Sequence, residues 1–81
     1  MVAVTVYTRE SCVLCADALA IVERVRDDLG FDCDVVDVDD DPELRERYGE
    51  RVPCVLVEGD VAFEYRVSED EFREALAEAS E

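Results

Sequence analysis

The pentapeptide SCVLC, at residues 11–15, lies where the pattern of apolar residues changes. Before it, residues 2–7 form a β-branched apolar run without polar alternation, which is typical of a central strand buried on both faces. After it, apolar residues between Val13 and Leu29 recur at intervals of three or four, which predicts an amphipathic helix. The two cysteines of the pentapeptide are therefore expected where a strand ends and a helix begins.

The segments that follow complete a βαβ unit and open a second helix. Gly30 stands where a C-cap glycine is usual. Residues 31–38 alternate apolar and acidic side chains, which predicts a second strand. Asp41 can cap a short helix whose first position is Pro42, and Gly49 is expected to end it.

The last third of the chain predicts a β-hairpin followed by a helix. Residues 54–57 and 61–65 are mostly apolar and are separated by a turn at Gly59 and Asp60, which favours antiparallel pairing. A capping box that starts at Ser68 predicts the beginning of the last helix. The whole order predicts an α/β fold, in which helices cover a four-stranded mixed sheet.

Length and charge limit the organisation and the partners. The 81 residues amount to about half of a typical domain length, so we expect one domain over residues 1–81. The net charge is -15, from 23 acidic residues and eight basic residues that are all arginine. A phosphate backbone would repel such a chain, and no segment approaches the apolar length of a membrane span. We therefore expect no nucleic-acid partner and no membrane partner.

The acidic, lysine-free composition also bears on the compartment. In a cytoplasm that holds molar salt, dense carboxylates keep a protein dissolved while counter-ions screen their repulsion. We therefore expect a halophilic protein. We also expect a cytoplasmic protein, because the N-terminal residues lack a signal sequence. The alternatives are an ordinary acidic protein or one with a basic partner. The charge is uneven, with a net of -2 over residues 1–30 and -13 over residues 31–81.

Cys12 and Cys15 carry the candidate chemistry. We expect Cys12 in the first turn of the helix, where free backbone N–H groups and the helix dipole stabilise a thiolate. Cys15 follows about one turn later, close enough to form a disulfide with Cys12. In a cytoplasmic βαβ unit, this spacing indicates a redox pair. The alternatives are that the two cysteines form half of a zinc site or are two thiols of the core.

The remaining cysteines, Cys33 and Cys54, belong to the second and third predicted strands. If these strands flank the first, the two thiols lie roughly 9–10 Å apart, too far to pair or to share a zinc ion without distortion. We expect Cys33 to be a small core residue. The acidic run at residues 37–41 does not match a calcium loop, because Pro42 stands where glycine is needed. We therefore expect neither a metal site nor a cofactor.

Three groups of residues resemble the small glutaredoxin-like proteins of the thioredoxin superfamily. They are Tyr7-Thr8-Arg9 ahead of the CxxC, Asp41-Pro42-Glu43-Leu44 with Tyr48-Gly49, and Val52-Pro53 ahead of the third strand. The resemblance covers nearly the whole chain. It implies a glutaredoxin fold with sheet order 2-1-3-4 and three helices. It also implies that Pro53 is cis and that the backbone of Val52 pairs with the thiol-bearing substrate.

The resemblance also implies residue roles. Cys12 would be the exposed nucleophile and Cys15 the resolving thiol. Arg9 and Arg51 are the cations best placed to favour the thiolate at the substrate site. The sequence departs from the family between the two cysteines, at Arg51 where threonine is usual, and at residues 63–65, where Phe-Glu-Tyr replaces a Gly-Gly turn. That turn helps to hold glutathione in the family.

Two functional hypotheses follow. In the first, the protein is a thiol-disulfide oxidoreductase with a role in electron transport. Cys12 attacks the disulfide of a protein or a low-molecular-weight thiol, and Cys15 releases the product. The partners would be that substrate and an unidentified reductant, and we expect a monomer. In the second, a non-enzymatic module holds an iron-sulfur cluster between two chains through the same cysteines, which visible absorbance after anaerobic purification would support.

Overall fold

The computed structural model describes residues 2–79, so residues 1, 80 and 81 of the predicted domain lie outside the described residues. The elements are β1 (Ala3–Thr8), α1 (Val13–Leu29), β2 (Asp32–Asp37), a 3-10 turn (Val38–Asp40), α2 (Pro42–Tyr48), β3 (Cys54–Val57), β4 (Asp60–Glu64) and α3 (Glu69–Ala79). The four strands form one sheet in the order β2-β1-β3-β4, with β1 parallel to β2 and antiparallel to β3. The predicted α/β fold, with sheet order 2-1-3-4 and three helices, is confirmed.

One face of the sheet carries the main core. Val4 and Val6 of β1 lie beside two valines of β3, and all four are buried. Side chains of α1 and α3, among them Val22 and Phe72, belong to the same cluster. Phe72 is fully buried and meets the ring of Phe31 edge to face, with centroids 5.7 Å apart. Burial of each large apolar side chain stabilises the fold by about 1.5–3 kcal/mol.

The opposite face of the sheet is less completely covered. Tyr7 of β1 lies on this face, and its ring stacks on Tyr48 of α2 with centroids 4.5 Å apart. Thr5 and Tyr7 are only half-buried, whereas the residues that alternate with them are buried. The prediction that β1 is buried on both faces is therefore wrong, because only the face toward the main core is fully shielded from water.

Helix α1 has the bounds that the sequence predicts. Gly30 ends it in the left-handed conformation, with a φ of 67°, and its N–H donates to the carbonyl of Arg26. Leu14 and Leu29, at the two ends of the predicted apolar stripe, are 40% and 53% exposed. The buried face of α1 consists of Cys15, Ala18, Val22 and Val25.

Strand β2 ends one residue earlier than the sequence predicts. The carboxylate of Asp37 accepts a hydrogen bond from the N–H of Asp39 at 2.9 Å, which turns the chain into the 3-10 turn. Val38 is fully buried in that turn rather than in the strand. Val35, one of the apolar residues in the predicted alternation, is 54% exposed on this strand at the edge of the sheet.

The β3–β4 hairpin turns one residue earlier than predicted. Val57 pairs with Asp60, so the turn consists of Glu58 and Gly59, which have φ values of 53° and 83°. A two-residue turn with both φ values positive matches the twist of the flanking strands. The predicted turn at Gly59 and Asp60 is wrong by one position.

The predicted helix caps are present. The N–H of Glu43 donates to the Asp41 carboxylate at 2.9 Å, and the N–H of Glu71 donates to the Ser68 hydroxyl at 3.5 Å. These caps satisfy backbone groups that the first turn of a helix leaves unpaired. No helix within residues 2–79 is long and apolar enough to cross a membrane.

Candidate functional site

Cys12 lies at the N-cap of α1, one position before the predicted place in the first turn. Ser11 ahead of it adopts a left-handed φ of 58°, between the end of β1 and the start of α1. The Cys12 Sγ accepts a hydrogen bond from the N–H of Cys15 at 3.1 Å, as a capping side chain would. The sulfur is therefore close to the unpaired N–H groups at the positive end of the helix dipole.

Cys12 and Cys15 form a disulfide in the structure, with their Cα atoms 5.1 Å apart. The two residues differ in access to solvent, because Cys12 is half-buried whereas Cys15 is only 2% exposed. Cys15 belongs to the buried stripe of α1, in line with Ala18 and Val22. A molecule arriving from solvent therefore reaches Cys12 first.

The surface around the two cysteines is shallow and partly apolar. A hollow of about 460 Å³ includes both sulfur-bearing residues, and other residues of its lining are Thr8, Arg9, Ser11, Val13 and Leu19. Val13 and Leu14, which stand between the cysteines, are 76% and 40% exposed. Apolar side chains grouped at a surface indicate a contact site for another molecule.

The segment before β3 reaches the same end of the sheet. Strand β3 runs antiparallel to β1, with Cys54 beside Tyr7, so the preceding residues lie where β1 leads into the CxxC. The Val52–Pro53 peptide bond is cis, and the Pro53 carbonyl accepts a hydrogen bond from the N–H of Tyr65 at 2.8 Å. Val52 itself forms no hydrogen bond within residues 2–79. Its N–H and carbonyl can therefore pair with another chain.

Arg9 borders the site, but other groups hold its guanidinium. Its Nε lies 3.2 Å from the Asp39 carboxylate, and its Nη1 donates to the Gly49 carbonyl at 3.2 Å. The side chain thus ties the end of β1 to the 3-10 turn and to the end of α2. A nearby carboxylate compensates its charge, which weakens the effect of that charge on a thiolate.

Arg51 is also engaged by its neighbours. Its Nε and Nη2 donate to the Arg47 carbonyl at 3.2 and 3.0 Å, and its Nη1 lies 3.6 Å from the Glu64 carboxylate. The guanidinium carbon lies 5.1 Å from the centroid of the Tyr48 ring, within the range of a cation–π contact. The structure therefore gives both predicted cations partners other than the cysteines.

Cys33 and Cys54 belong to the two strands that flank β1. Cys33 is half-buried and Cys54 is fully buried. Burial raises the pKa of both thiols, and the nearby charges of Asp34 at Cys33 and Glu64 at Cys54 raise them further. Both thiols are therefore harder to ionise than an exposed thiol, which makes them weaker nucleophiles. Within residues 2–79, no cluster of three or more Cys, His, Asp or Glu side chains could hold a metal ion.

Comparison with known families identifies the chain. A family model described as a glutaredoxin-like domain (DUF836) matches residues 3–77. The chain belongs to this glutaredoxin-like family. An uncharacterised protein of Mycobacterium tuberculosis is 30% identical to it over 82 residues, which cover 95% of this chain and 84% of the relative. The resemblance predicted from the sequence is confirmed.

Solved structures agree with the fold of this glutaredoxin-like domain. A structural-genomics target protein from X. campestris superposes with a TM-score of 0.77 at 27% identity, covering 93% of this chain and 96% of the other. A mutant thioredoxin from Halobacterium salinarum gives a TM-score of 0.76 at 22% identity, covering 99% and 75%. These similarities show that the domain has a thioredoxin-like fold.

Tyr65 is a residue of this glutaredoxin-like domain that the sequence analysis did not include in the site. It adopts a left-handed φ of 69°, and 48% of it is exposed. It also lines a second hollow, of about 280 Å³, which includes Leu14. The signal in the sequence is the replacement of Gly-Gly by Phe-Glu-Tyr at residues 63–65.

Proposed function

We propose that this glutaredoxin-like domain is a thiol-disulfide oxidoreductase. Its substrates would be disulfides of proteins or mixed disulfides of low-molecular-weight thiols. The observation that carries the proposal is the placement of the cysteine pair, with Cys12 accessible at the N-cap of α1 and Cys15 buried one turn later in disulfide contact. Membership of the glutaredoxin-like family and the thioredoxin-like fold support it.

The reaction is a sequence of two exchanges. The Cys12 thiolate attacks one sulfur of a substrate R–S–S–R′, forms a Cys12–S–S–R bond and expels R′S⁻, which takes a proton. Cys15 then loses its proton and attacks the Cys12 sulfur, which forms the Cys12–Cys15 disulfide and expels RS⁻. Two electrons pass from the dithiol to the substrate. An external thiol or dithiol reductant returns the domain to the reduced form.

The start of helix α1 provides the stabilisation that the Cys12 thiolate needs. The Cys15 N–H donates to the Cys12 sulfur, and the helix dipole places partial positive charge there. Arg9 and Arg51 contribute less, because Asp39 and Glu64 compensate their charges. We assign these arginines to holding the segments that border the site.

The borders of the site suit a polypeptide or thiol-bearing substrate. The unpaired backbone of Val52 offers one donor and one acceptor at the end of the sheet where β1 leads into the CxxC, and Val13 and Leu14 offer exposed apolar surface. The net charge of -15 disfavours anionic polymers and anionic lipid surfaces. We propose that the domain acts as a monomer in the cytoplasm, with no nucleic-acid or membrane partner.

The proposal is tested by reduction of insulin disulfides with dithiothreitol as the reductant. Wild-type protein should accelerate the reaction, Cys12→Ser should abolish the acceleration, and Cys33→Ser should retain it as a matched control. Cys15→Ser should accumulate a stable mixed disulfide on Cys12, because the second exchange is blocked. In the reduced wild type, iodoacetamide should label Cys12 at least about tenfold faster than Cys33. Full activity in Cys12→Ser would refute the proposal.

A further inference from the structure

Tyr65 has a backbone conformation that a glycine would adopt more easily. Its φ of 69° follows β4, and the conformation is held by the hydrogen bond from its N–H to the Pro53 carbonyl. For a residue other than glycine, the left-handed region costs about 1–2 kcal/mol. The Tyr65 side chain is 48% exposed, so burial in the core offsets only part of this cost. A strained position beside a site is where a functional side chain is expected.

The Tyr65 side chain lies across a cleft from the CxxC helix. The hollow of about 280 Å³ has Tyr65, Arg66 and Val67 on one side and α1 residues, including Leu14 and Asp17, on the other. We call it the Tyr65 cleft. Leu14 stands between the two cysteines in the sequence, so the cleft reaches the first turn of the helix that carries Cys15.

The charges of the Tyr65 cleft favour a polypeptide over a small dianionic thiol. Arg66 and Asp17 both line it, and neither forms an ion pair with another residue between positions 2 and 79. One cation and one anion provide no excess positive charge for two carboxylates. Arg9 and Arg51 are already paired with Asp39 and Glu64.

The backbone beside the Tyr65 cleft points to the same class of substrate. The hydrogen bond between Tyr65 and Pro53 places the cleft next to Val52, whose N–H and carbonyl have no partner among the described residues. An extended peptide can pair with such groups while an adjacent side chain enters a pocket. Backbone pairing and side-chain insertion together require a polypeptide.

We propose that Tyr65 and Leu14 form a specificity pocket for an apolar side chain that flanks the disulfide cysteine of a protein substrate. This inference rests on the proposed oxidoreductase function and narrows its substrates to polypeptide disulfides. Tyr65 is a specificity residue, and its strained backbone is retained because the aromatic ring contacts the substrate. The chemistry of exchange remains with Cys12 and Cys15.

The test compares two disulfide-bonded peptides that are identical except for phenylalanine or serine next to one cysteine. Wild-type protein should reduce the phenylalanine peptide with a kcat/KM about tenfold higher, since one apolar contact discriminates by about that factor or more. In Tyr65→Gly this ratio should fall to about one. A loss of structure alone would lower both values together and leave the ratio unchanged. Val61→Ser, at an exposed apolar position of β4 outside the cleft, should keep the wild-type ratio.

Tyr65→Gly should fold, because glycine adopts a φ of 69° at low cost. Its urea midpoint should equal or exceed that of the wild type. If the variant does not fold, Leu14→Ser provides the same ratio test from the other wall of the cleft. Equal reduction of both peptides by the wild type, or an unchanged ratio in Tyr65→Gly, would overturn this inference alone. Reduction of neither peptide would contradict the proposed function as well.

Discussion

Cys54 shows how the position of a thiol in the sheet determines its role. It pairs with Tyr7 across β1 and β3, so its side chain lies on the face that α2 covers. Cys15, in contrast, belongs to the buried stripe of α1 on the other side of the sheet. Burial and Glu64 raise the Cys54 pKa, which keeps this thiol neutral. These surroundings favour a packing role for Cys54 over the alternative that it acts, like Cys15, as a thiol that resolves the mixed disulfide on Cys12.

We expect Cys54→Ser to keep insulin reduction within about twofold of the wild type. Its free energy of unfolding should fall by about 1–3 kcal/mol, because the buried hydroxyl replaces a thiol that packs well. Urea unfolding of the reduced proteins measures this change, with Cys33→Ser as the less buried control. Mass spectrometry of the oxidised wild type should show a Cys12–Cys15 link, and a substantial Cys12–Cys54 link would contradict the packing role.

The Cys54 thiol also determines in which direction the free energy of unfolding changes with pH. The Cys54 pKa is raised in the folded state, so its neutral form contributes stability below the unfolded value of about 8.5. That contribution is lost as the pH rises through the folded pKa. As the pH rises above about 8.5, the reduced wild type should therefore lose more unfolding free energy than Cys54→Ser.

The β3–β4 hairpin turn contains an amino acid that fits its backbone conformation poorly. Glu58 has a φ of 53°, which suits asparagine or glycine better. Glu58→Asn should therefore raise the free energy of unfolding by about 0.5–1 kcal/mol. Gly59→Ala, at a φ of 83°, should lower it by about 1 kcal/mol or more. Urea midpoints of both variants measure these changes. Equal shifts of the same sign would contradict this account of the turn.

Elements with strong periodicity could be predicted to within a residue or two. The bounds of α1 follow from its apolar spacing and from Gly30. Strand ends could not be predicted as closely, because alternation shows which residues share a face but not where strand pairing stops. The end of β2 at Asp37 and the one-residue shift of the hairpin turn illustrate this. Within the site, the cysteines were evident from their spacing, whereas the left-handed Tyr65 depends on a distant hydrogen bond to Pro53.

The partners of the arginines could not be predicted for a related reason. With 23 carboxylates available, local sequence gives no preference for Asp39 at Arg9 or for Glu64 at Arg51. These pairs form because the fold brings separate segments together. The sequence therefore identified cations near the site but could not show that their charges are compensated.

The whole molecule combines a small core with an excess of negative charge. Exposed ion pairs such as Arg24–Glu69 join α1 to α3, but pairs of this kind contribute little stability. Repulsion among the remaining carboxylates opposes the compact state. Salt screens that repulsion more than it weakens the few attractive pairs, because like charges greatly outnumber opposite ones.

We therefore expect the Tm to rise with sodium chloride concentration. The Debye length falls from about 30 Å at 0.01 M to about 10 Å at 0.1 M and about 3 Å at 1 M, so most of the rise should occur below roughly 0.3 M. Calorimetry across this series measures the effect. An Arg24→Gln variant, which removes an attractive pair, should show a rise of similar size. A Tm that is independent of salt would contradict the halophilic interpretation.

The edge position of β2 has a consequence for how copies of the molecule meet. A sheet edge carries unpaired backbone groups that can accept a strand from another chain. Strand β2 carries three acidic residues, and the apolar Val35 among them is 54% exposed. The acidic residues are Asp32, Asp34 and Asp37. Charged residues on an edge discourage intermolecular pairing only while they are ionised. Acidification would remove this protection, so β-sheet aggregation would begin at this edge.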